Sequence, residues 1–285
     1  METQAPETPG ELQRRILADY KNLSKRLQQI AQFAVDHPND MALETTATIA
    51  ERAGVQPSAI IRFAKAFGYS GFSELQRVYQ TRLAESASSY SERLRRLRRD
   101  EENATESVTP QGVLRQFCQA NRISLEHLAA DIAPATLERA AQCLAGAQRI
   151  YLCGQRRSFP VVAYMAYALG QIDADAVLLD GLGGMLGQQA VRMNAADVLF
   201  AVSFHPYAEE TADVIRRADE HNVPIVVLTD SPLSPVAAHA TVCLEIHDAE
   251  LHNFRSLTAS MCLAQALTVS VGLALGRGDA ESDNG

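Results

Sequence analysis

Thr46 to Phe67 reads TATIAERAGVQPSAIIRFAKAF, the pattern of two short helices joined by a turn. Apolar residues recur at helical spacing before Gly54, and glycine readily adopts the left-handed conformation that ends a helix. Pro57 suits the first turn of the helix that follows. The apolar face of that second helix consists of Ile60, Phe63, Ala64 and Phe67. The spacing therefore predicts a helix-turn-helix.

The opposite face of the second helix carries small side chains near its start and basic side chains further on. Small residues let the N-terminal end of a recognition helix enter the major groove, while Arg and Lys reach base edges or phosphates. We therefore expect double-stranded operator DNA as a partner, although an ordinary helical hairpin is the alternative. The candidate DNA-binding residues are Gln56, Pro57, Ser58, Ala59, Arg62 and Lys65.

Charge is distributed unevenly over the 285 residues. Residues 11–99 contain 15 Lys and Arg against 9 Asp and Glu, a net charge of +6. Residues 111–285 contain 11 against 19, a net charge of −8. A basic segment attached to an acidic body that repels DNA indicates a DNA-binding head and a second domain with another task.

We expect a helix-turn-helix domain over residues 11–84, a charged linker over 85–110 and a second domain over 111–277. In the second domain, short apolar strands alternate with helices, which predicts an α/β, doubly wound parallel sheet after the all-α head. The expected strands are Arg149–Cys153, Ala176–Leu179, Val198–Val202, Ile225–Leu228 and Val242–Glu245. The expected helices between them are Phe159–Leu169, Leu186–Met193, Ala208–His221 and Pro235–His239.

Ligands of doubly wound sheets bind where the strands end, beside a topological switch point. The loop after the first strand offers a hydroxyl, arginines and the amides of a helix start, and the loop after the third strand offers hydroxyls and a histidine. A capping serine with solvated arginines, and a structural histidine, are the alternatives. The candidate effector-binding residues are Gly154, Gln155, Arg156, Arg157, Ser158, Ser203, His205, Tyr207 and Thr211.

Several other classes of protein do not fit the sequence. The first strand loop has one glycine, which is no dinucleotide fingerprint, and we expect no cofactor. The five cysteines form no CxxC pair, so we expect no metal site. The start METQAPETPGELQ has no secretory signal, which predicts a cytoplasmic protein. Polar residues interrupt the apolar segment Leu257 to Leu275, which favours a buried helix over a membrane span.

Two segments of the chain resemble RpiR-type (MurR-type) bacterial transcriptional regulators. They are TIAERAGVQPSAIIRFAKAFGYSGFSELQ and VLFAVSFHPYAEETADVIRRADEHNVPIVVLTDSPLSPVAAHA. The resemblance covers about residues 10 to 277. It implies an N-terminal helix-turn-helix followed by a flavodoxin-like sugar isomerase (SIS) domain, which senses sugar phosphates or related metabolites. It also implies that the protein assembles into a homo-oligomer, a dimer or a tetramer.

The chain departs from the pattern of this family in both ligand loops. In the first loop, Arg156 stands where the family usually has a second glycine, while Ser158 is retained. In the second loop Ser203 is retained, but His205, Pro206 and Ala208 replace a serine, a glycine and a threonine. The effector is therefore a sugar phosphate or, alternatively, another polyol, sugar acid or inositol-like ligand held by His205, Tyr207 and the arginines.

The function expected from these features is that of a sequence-specific DNA-binding repressor of carbohydrate metabolism genes, without enzymatic activity. The alternative is a sugar-phosphate isomerase with an accessory head. Such an enzyme needs a base at the substrate carbon. The residues available for that role are Glu209, Glu210, Glu245, Glu250 and His205. A nonspecific nucleoid-type DNA binder fits poorly with the acidic second domain.

Overall fold

The computed structural model describes residues 5–87, Leu94, 109–251 and 254–276. The chain divides into two compact units, residues 1–105 and 106–285. The expected linker, residues 85–110, lies mostly outside the described residues. The helix before it ends at Ala87, and the helix after it begins at Pro110.

The first unit, called the head below, is helical throughout its described residues. A capping box starts its first helix, because the Thr8 side chain accepts a hydrogen bond from the Glu11 amide and the Glu11 side chain accepts one from the Thr8 amide. The apolar faces of the helices meet in one core that includes Ile30, Met41 and Phe63. The helices are α1 (Pro9–Asp19), α2 (Lys25–Asp36), α3 (Pro38–Leu43), α4 (Thr46–Arg52), α5 (Pro57–Ala66) and α6 (Phe72–Ala87).

The turn between α4 and α5 has the predicted geometry. Gly54 has a φ of +66°, the left-handed conformation for which glycine is suited. The amide of Val55 donates to the carbonyl of Ala50 at 2.8 Å, and the Val55 side chain is buried in the corner. The helix-turn-helix predicted from the sequence is therefore confirmed.

The second unit is built on a five-stranded sheet in which each pair of neighbouring strands is parallel, in the order β2-β1-β3-β4-β5. The strands are β1 (Ile150–Cys153), β2 (Ala176–Leu179), β3 (Val198–Ser203), β4 (Ile225–Thr229) and β5 (Val242–Glu245). The helices are α7 (Pro110–Asp131), α8 (Pro134–Ala145), α9 (Phe159–Gln171), α10 (Leu186–Ala190), α11 (Glu209–Glu220) and α12 (Thr258–Ala274). All five expected strands and the doubly wound fold are confirmed.

The sheet is covered on both faces, which explains why its strands are nearly continuous apolar runs. Leu152 and Phe200 belong to a core that they share with residues of α8, α9 and α12. Tyr151 and Leu199, their neighbours along the strands, belong to a second core with residues of α11. This alternation leaves the ends of the strands, and not the faces of the sheet, as the place for a ligand.

Three details of the sequence-based expectation are wrong. The helix expected over Pro235–His239 is a single 3₁₀ turn, Ala237–His239, because side-chain hydrogen bonds of Ser234 and Ser231 hold the preceding segment in turns. The helix expected to reach Met193 ends at Ala190. A short antiparallel hairpin, β6 (Glu250–Leu251) with β7 (Phe254–Arg255), was not expected.

Among the described residues, no helix is long and apolar enough to cross a membrane.

Candidate functional site

The exposed face of α5 carries the candidate DNA contacts. Gln56, Pro57, Ser58, Arg62 and Lys65 are all exposed. The residues of α5 that are buried in the head core are Ala59, Ile60, Phe63 and Ala64. Pro57 occupies the first turn, as predicted. This surface combines small groups at the start of the helix with two cations further along, so it has the shape and charge that the major groove requires.

Ala59 corrects the sequence-based assignment. It was expected on the exposed face of α5, but only 1% of it is exposed. The physical reason is helical spacing, because Ala59 precedes Phe63 by four residues and so joins the apolar stripe. Its small side chain packs in the core that also contains Ala50 of α4. Ala59 therefore helps α4 and α5 to pack and cannot reach DNA.

Ile61 is the residue of this face that the sequence pattern did not single out. It is 42% exposed and lies between the polar residues of α5. An exposed large apolar residue on such a helix can contact the methyl group of thymine. The signal was available, because Ile61 falls outside the i, i+3, i+4 and i+7 spacing that places Ile60, Phe63, Ala64 and Phe67 on the buried face.

The second candidate site lies where β1 and β3 end, at the topological switch point of the sheet. β1 pairs with β2 on one side and with β3 on the other, so the loops after β1 and β3 diverge from adjacent strands. The Arg156 guanidinium lies 3.6 Å from the Glu210 carboxylate, an ion pair that joins the two loops. The structure thus brings together the two loops predicted from the sequence.

The loop after β1 has a backbone shape that depends on Gly154. A Cβ atom at this position would lie 3.2 Å from atoms of both Ser158 and Val162, closer than such contacts normally allow. Arg156 has a φ of +56°, so an arginine adopts the left-handed conformation where the family usually has glycine. The departure in sequence therefore keeps the glycine-like backbone and adds an exposed cation.

Arg157 is half-buried and surrounded by charged groups. Its guanidinium lies 4.8 Å from the centre of the Phe204 ring and donates to the Ser256 carbonyl at 3.4 Å. Burial, and to a lesser extent Arg255, lower the pKa of Arg157 from its usual value, whereas Asp248 and Asp230 act in the opposite direction. Arg157 is therefore held between the β3 loop and the segment around Ser256, and it is not a fully solvated arginine.

The loop after β3 is held by partners from β4 and from the unexpected hairpin. The amide of His205 donates to Asp230 Oδ2 at 3.0 Å, and Arg255 donates to the His205 carbonyl. The His205 ring meets the Tyr207 ring edge to face, with centroids 5.8 Å apart. His205 is 8% exposed, so it forms part of the wall of the site and is not a solvent-exposed histidine.

The end of the β3 loop offers a ligand fewer hydroxyl groups than the sequence suggested. Thr211 is fully buried, and its hydroxyl adjoins the thiol of Cys153, whose pKa burial raises to about 12. Ala208 precedes α11 without a side-chain cap, and Glu209 and Glu210 occupy the first turn of that helix. The start of α11 therefore presents carboxylates where a phosphate-binding loop presents hydroxyls.

Among the buried side-chain atoms that have no hydrogen-bond partner within the described residues, three lie at strand ends of this edge: Gln155 Nε2, Ser203 Oγ and Asp230 Oδ1. They follow or end β1, β3 and β4, three adjacent strands. Buried polar atoms are normally paired in folded proteins, so an orphaned set is evidence of a site for water or ligand. Asp230 and Arg255 are the two site residues that sequence reasoning missed. Asp230 directly follows β4, whereas Arg255 lies in a hairpin without a sequence signal.

The neighbouring turn after β4 is structural. The Thr229 hydroxyl donates to Ser234 Oγ at 3.1 Å, and Ser234 Oγ accepts from the Ala237 amide. In the described ranges, no cluster of three or more His, Cys, Asp or Glu residues is arranged to hold a metal ion.

Comparison with known proteins identifies both units. Residues 10–87 match the helix-turn-helix domain of the rpiR family, and residues 143–270 match the SIS domain. An uncharacterised HTH-type transcriptional regulator of Caldanaerobacter subterraneus is 24% identical over 85% of this chain and 82% of its own length. The HTH-type transcriptional regulator HexR of Pseudomonas aeruginosa is 23% identical over 79% of this chain and 74% of its own.

Solved structures show the same fold. The Vibrio vulnificus NanR protein, complexed with ManNAc-6P, superposes with a TM-score of 0.55 at 20% identity and covers 94% of each chain. In this chain the helix-turn-helix head precedes the unit with the parallel sheet. The chain therefore belongs to the RpiR-type family of DNA-binding transcriptional regulators, with an N-terminal helix-turn-helix and a C-terminal SIS domain.

Proposed function

We propose that this regulator represses genes of carbohydrate metabolism and that a small carbohydrate-derived effector, bound at the switch point of the SIS domain, changes its affinity for the operator. The observation that carries the proposal is the cluster of buried, unpaired polar atoms at the ends of β1, β3 and β4. A regulator of a known DNA-binding family with such a cluster in its second domain has the two sites that effector control needs.

The proposed operator contacts are Gln56, Pro57, Ser58, Arg62 and Lys65, and we add Ile61. Arg62 lies one turn beyond Ser58, so we assign it to a base edge, and we assign Lys65 to the phosphate backbone. The net charge of +6 over residues 11–99 supports this assignment, because phosphate attraction supplies much of the affinity of such heads.

The proposed effector contacts come from the two loops and from the end of β4. Gly154 lets the first loop pack closely against Ser158 and Val162, and Gln155, Ser158, Ser203 and Asp230 supply hydrogen bonds. Arg156, Arg157, His205 and Tyr207 form the walls. We leave Thr211 out of the contact set because it is buried beneath the loop. The complex of the Vibrio NanR protein with ManNAc-6P supports a carbohydrate-derived ligand in general.

Coupling between the two sites requires more than one copy of the chain. A single small head contacts a short stretch of DNA, so two heads at a fixed spacing provide specificity. We propose a dimer or tetramer formed through the SIS domain, for which Val269 and Leu273 on the exposed side of α12 offer apolar area. An effector that prefers one arrangement of the copies shifts the population of DNA-competent molecules. We propose that the protein acts in the cytoplasm.

The isomerase alternative is less well supported by the site. Three of its candidate bases contact basic side chains: Glu210 contacts Arg156, Glu245 contacts His247 and Glu250 contacts Arg255. Each of these carboxylates therefore already has a basic side chain of the chain itself as its partner. The Caldanaerobacter and Pseudomonas relatives are also transcriptional regulators by name.

The test begins with selection of an operator by the full chain from a pool of random double-stranded DNA. Fluorescence anisotropy then measures operator affinity of the wild type and of Arg62→Ala. We expect Arg62→Ala to weaken binding by about 1–3 kcal/mol, because a bidentate contact to a base is lost. Arg14→Ala, which removes an exposed arginine from α1, is the matched control and should bind as the wild type does.

Two outcomes would contradict the proposal. If folded Arg62→Ala binds the selected operator with wild-type affinity, α5 is not the recognition helix. If no sugar, sugar acid or sugar phosphate changes operator affinity of the wild type, the SIS domain is not an effector sensor.

A further inference from the structure

The three orphaned polar atoms lie close together by strand register. β1 and β3 are paired with Cys153 opposite Ala201, so Gln155 and Ser203, each two residues further on, follow on adjacent strands. Ser203 is paired with Thr229 of β4, and Asp230 is the next residue. Asp230 is also tied to this place by its bond to the His205 amide. One small molecule at the switch point can therefore meet all three.

The chemistry of the three atoms defines their missing partner. Gln155 Nε2 can only donate, Asp230 Oδ1 as a carboxylate oxygen can only accept, and Ser203 Oγ can do both. A hydroxyl group donates one hydrogen bond and accepts others, so a molecule with adjacent hydroxyls satisfies the whole set. A phosphate dianion offers acceptors only. It leaves Asp230 Oδ1 unpaired and places two negative charges beside each other.

The surroundings of the β3 loop also disfavour a phosphate there. Glu209 and Glu210 stand in the first turn of α11, and Ala208 offers no hydroxyl. Arg156, an exposed cation of the first loop, is paired with Glu210. Arg157 and Arg255 are balanced by Asp230, Asp248 and Glu250 in their neighbourhood. Counted over the described residues, the site therefore has no excess of positive charge, and its unpaired atoms are best matched by neutral hydrogen-bonding groups.

We propose that the SIS domain of this regulator binds a neutral polyhydroxylated ligand, a sugar or cyclic polyol without a phosphate, and that Asp230 accepts hydrogen bonds from its hydroxyls. Gln155 and Ser203 complete the recognition at the ends of β1 and β3. This inference rests on the proposed function and specifies the ligand class of the same site.

The decisive variant is Asp230→Asn. Its amide oxygen can keep the bond from the His205 amide, and its NH₂ group then replaces the orphaned acceptor by a donor. We expect the dissociation constant of a neutral polyol to rise about ten- to hundredfold, because a hydrogen bond to a charged group is lost. For inorganic phosphate, or for an ester whose phosphate group faces Asp230, the same change removes a repelling charge, so its affinity should stay equal or increase. The sign of the effect thus separates the two ligand classes.

Isothermal titration calorimetry of the full chain measures this directly. The probes are glucose, sorbitol and a cyclohexane hexol, compared with glucose 6-phosphate and inorganic phosphate. Asp219→Asn, at an exposed aspartate of α11, is the matched control for loss of a carboxylate charge. Gln155→Glu, which replaces the donor by an acceptor, is a second test and should also weaken the polyol. Circular dichroism of each variant verifies that it is folded.

The outcomes are distinct. Binding of a neutral probe that both variants weaken and the control does not supports the inference. Binding of glucose 6-phosphate alone, unaffected or strengthened by Asp230→Asn, overturns it but leaves the proposed function intact. Absence of binding by every neutral probe, or binding of a neutral probe that neither variant changes, overturns it as well. Loss of effector control at the operator is measured separately and tests the proposed function.

Discussion

The two candidate sites of this regulator present their polar groups in opposite ways. On α5, Arg62 and Lys65 are exposed and stand on a fully packed apolar face. At the switch point, Gln155, Ser203 and Asp230 carry buried atoms without partners among the described residues. Long, exposed cations suit a polyanion. Short, buried polar groups suit a small molecule that gives each of them a hydrogen-bond partner.

This difference predicts different costs of mutation. Replacing an exposed side chain on α5 should change DNA binding and leave the head folded. The backbone of the switch point is so closely packed that a single added carbon should disturb both folding and ligand binding. Substitutions at Gly154 and Arg156 test the packing of the switch point, and one at Tyr69 tests that of the head core. They follow in decreasing order of the change in stability that we expect.

Gly154→Ala should destabilise the SIS unit by about 1–3 kcal/mol, because its methyl group would crowd Ser158 and Val162 at 3.2 Å. Urea unfolding monitored by circular dichroism measures the loss. The matched control is Gly170→Ala near the end of α9, where an added Cβ meets nothing within 4 Å. That control should gain about 0.5–1 kcal/mol. Equal stability of the two variants would mean that the β1 loop is not closely packed.

Tyr69→Phe should destabilise the head by about 1 kcal/mol, because the buried Tyr69 hydroxyl donates to the Pro6 carbonyl at 2.7 Å. Tyr167→Phe is the control, since Tyr167 on α9 is 65% exposed. Unfolding monitored by hydrogen exchange of head amides separates this loss from changes in the SIS unit.

The same tyrosine adds a dependence on pH. Burial raises the pKa of Tyr69 to about 12, above its value of about 10 in an unfolded chain. A group whose folded pKa is raised stabilises the fold fully below the unfolded pKa and loses that contribution as the pH rises to the folded pKa. The stability difference between wild type and Tyr69→Phe should therefore shrink between about pH 10 and pH 12. A constant difference over this range would contradict the assignment.

Arg156→Gly should have the smallest effect, a gain of about 0.5 kcal/mol in the unfolding free energy of the SIS unit. Glycine adopts a φ of +56° without strain, which outweighs the extra freedom that it gives the unfolded chain. The ion pair with Glu210 that is lost is largely exposed and contributes little. Arg156→Ala removes the same side chain but keeps the strain, so it should show no gain. Urea unfolding of both variants measures the difference.

The sequence predicted most of the architecture because strong periodicity encodes it. The apolar stripe Ile60, Phe63 and Phe67 defined α5, and uninterrupted apolar runs defined all five strands of the sheet. The switch-point loops followed from the strand order that such runs imply. Ala59 was misassigned because a small residue on the border of a helical stripe is equally compatible with either face.

The site was harder to predict than the fold, because its contacts are formed between distant segments. Asp230 and Arg255 are 25 and 50 residues from His205, and they meet it through its main chain, which leaves no side-chain pattern to detect. The residue types Gln, Ser and Asp are common in every loop. Only their burial without partners among the described residues distinguishes Gln155, Ser203 and Asp230 from ordinary turn residues.

The left-handed backbone at Arg156 has a consequence for directed evolution. Its side chain is 62% exposed at the rim of the site, and the loop tolerates an arginine in a conformation usual for glycine. Unbranched side chains of any charge should therefore be interchangeable here at similar cost in stability, while Gly154 and Ser158 keep the loop in shape. A one-position library at residue 156, screened for operator release, offers a short route to regulators that respond to new small molecules.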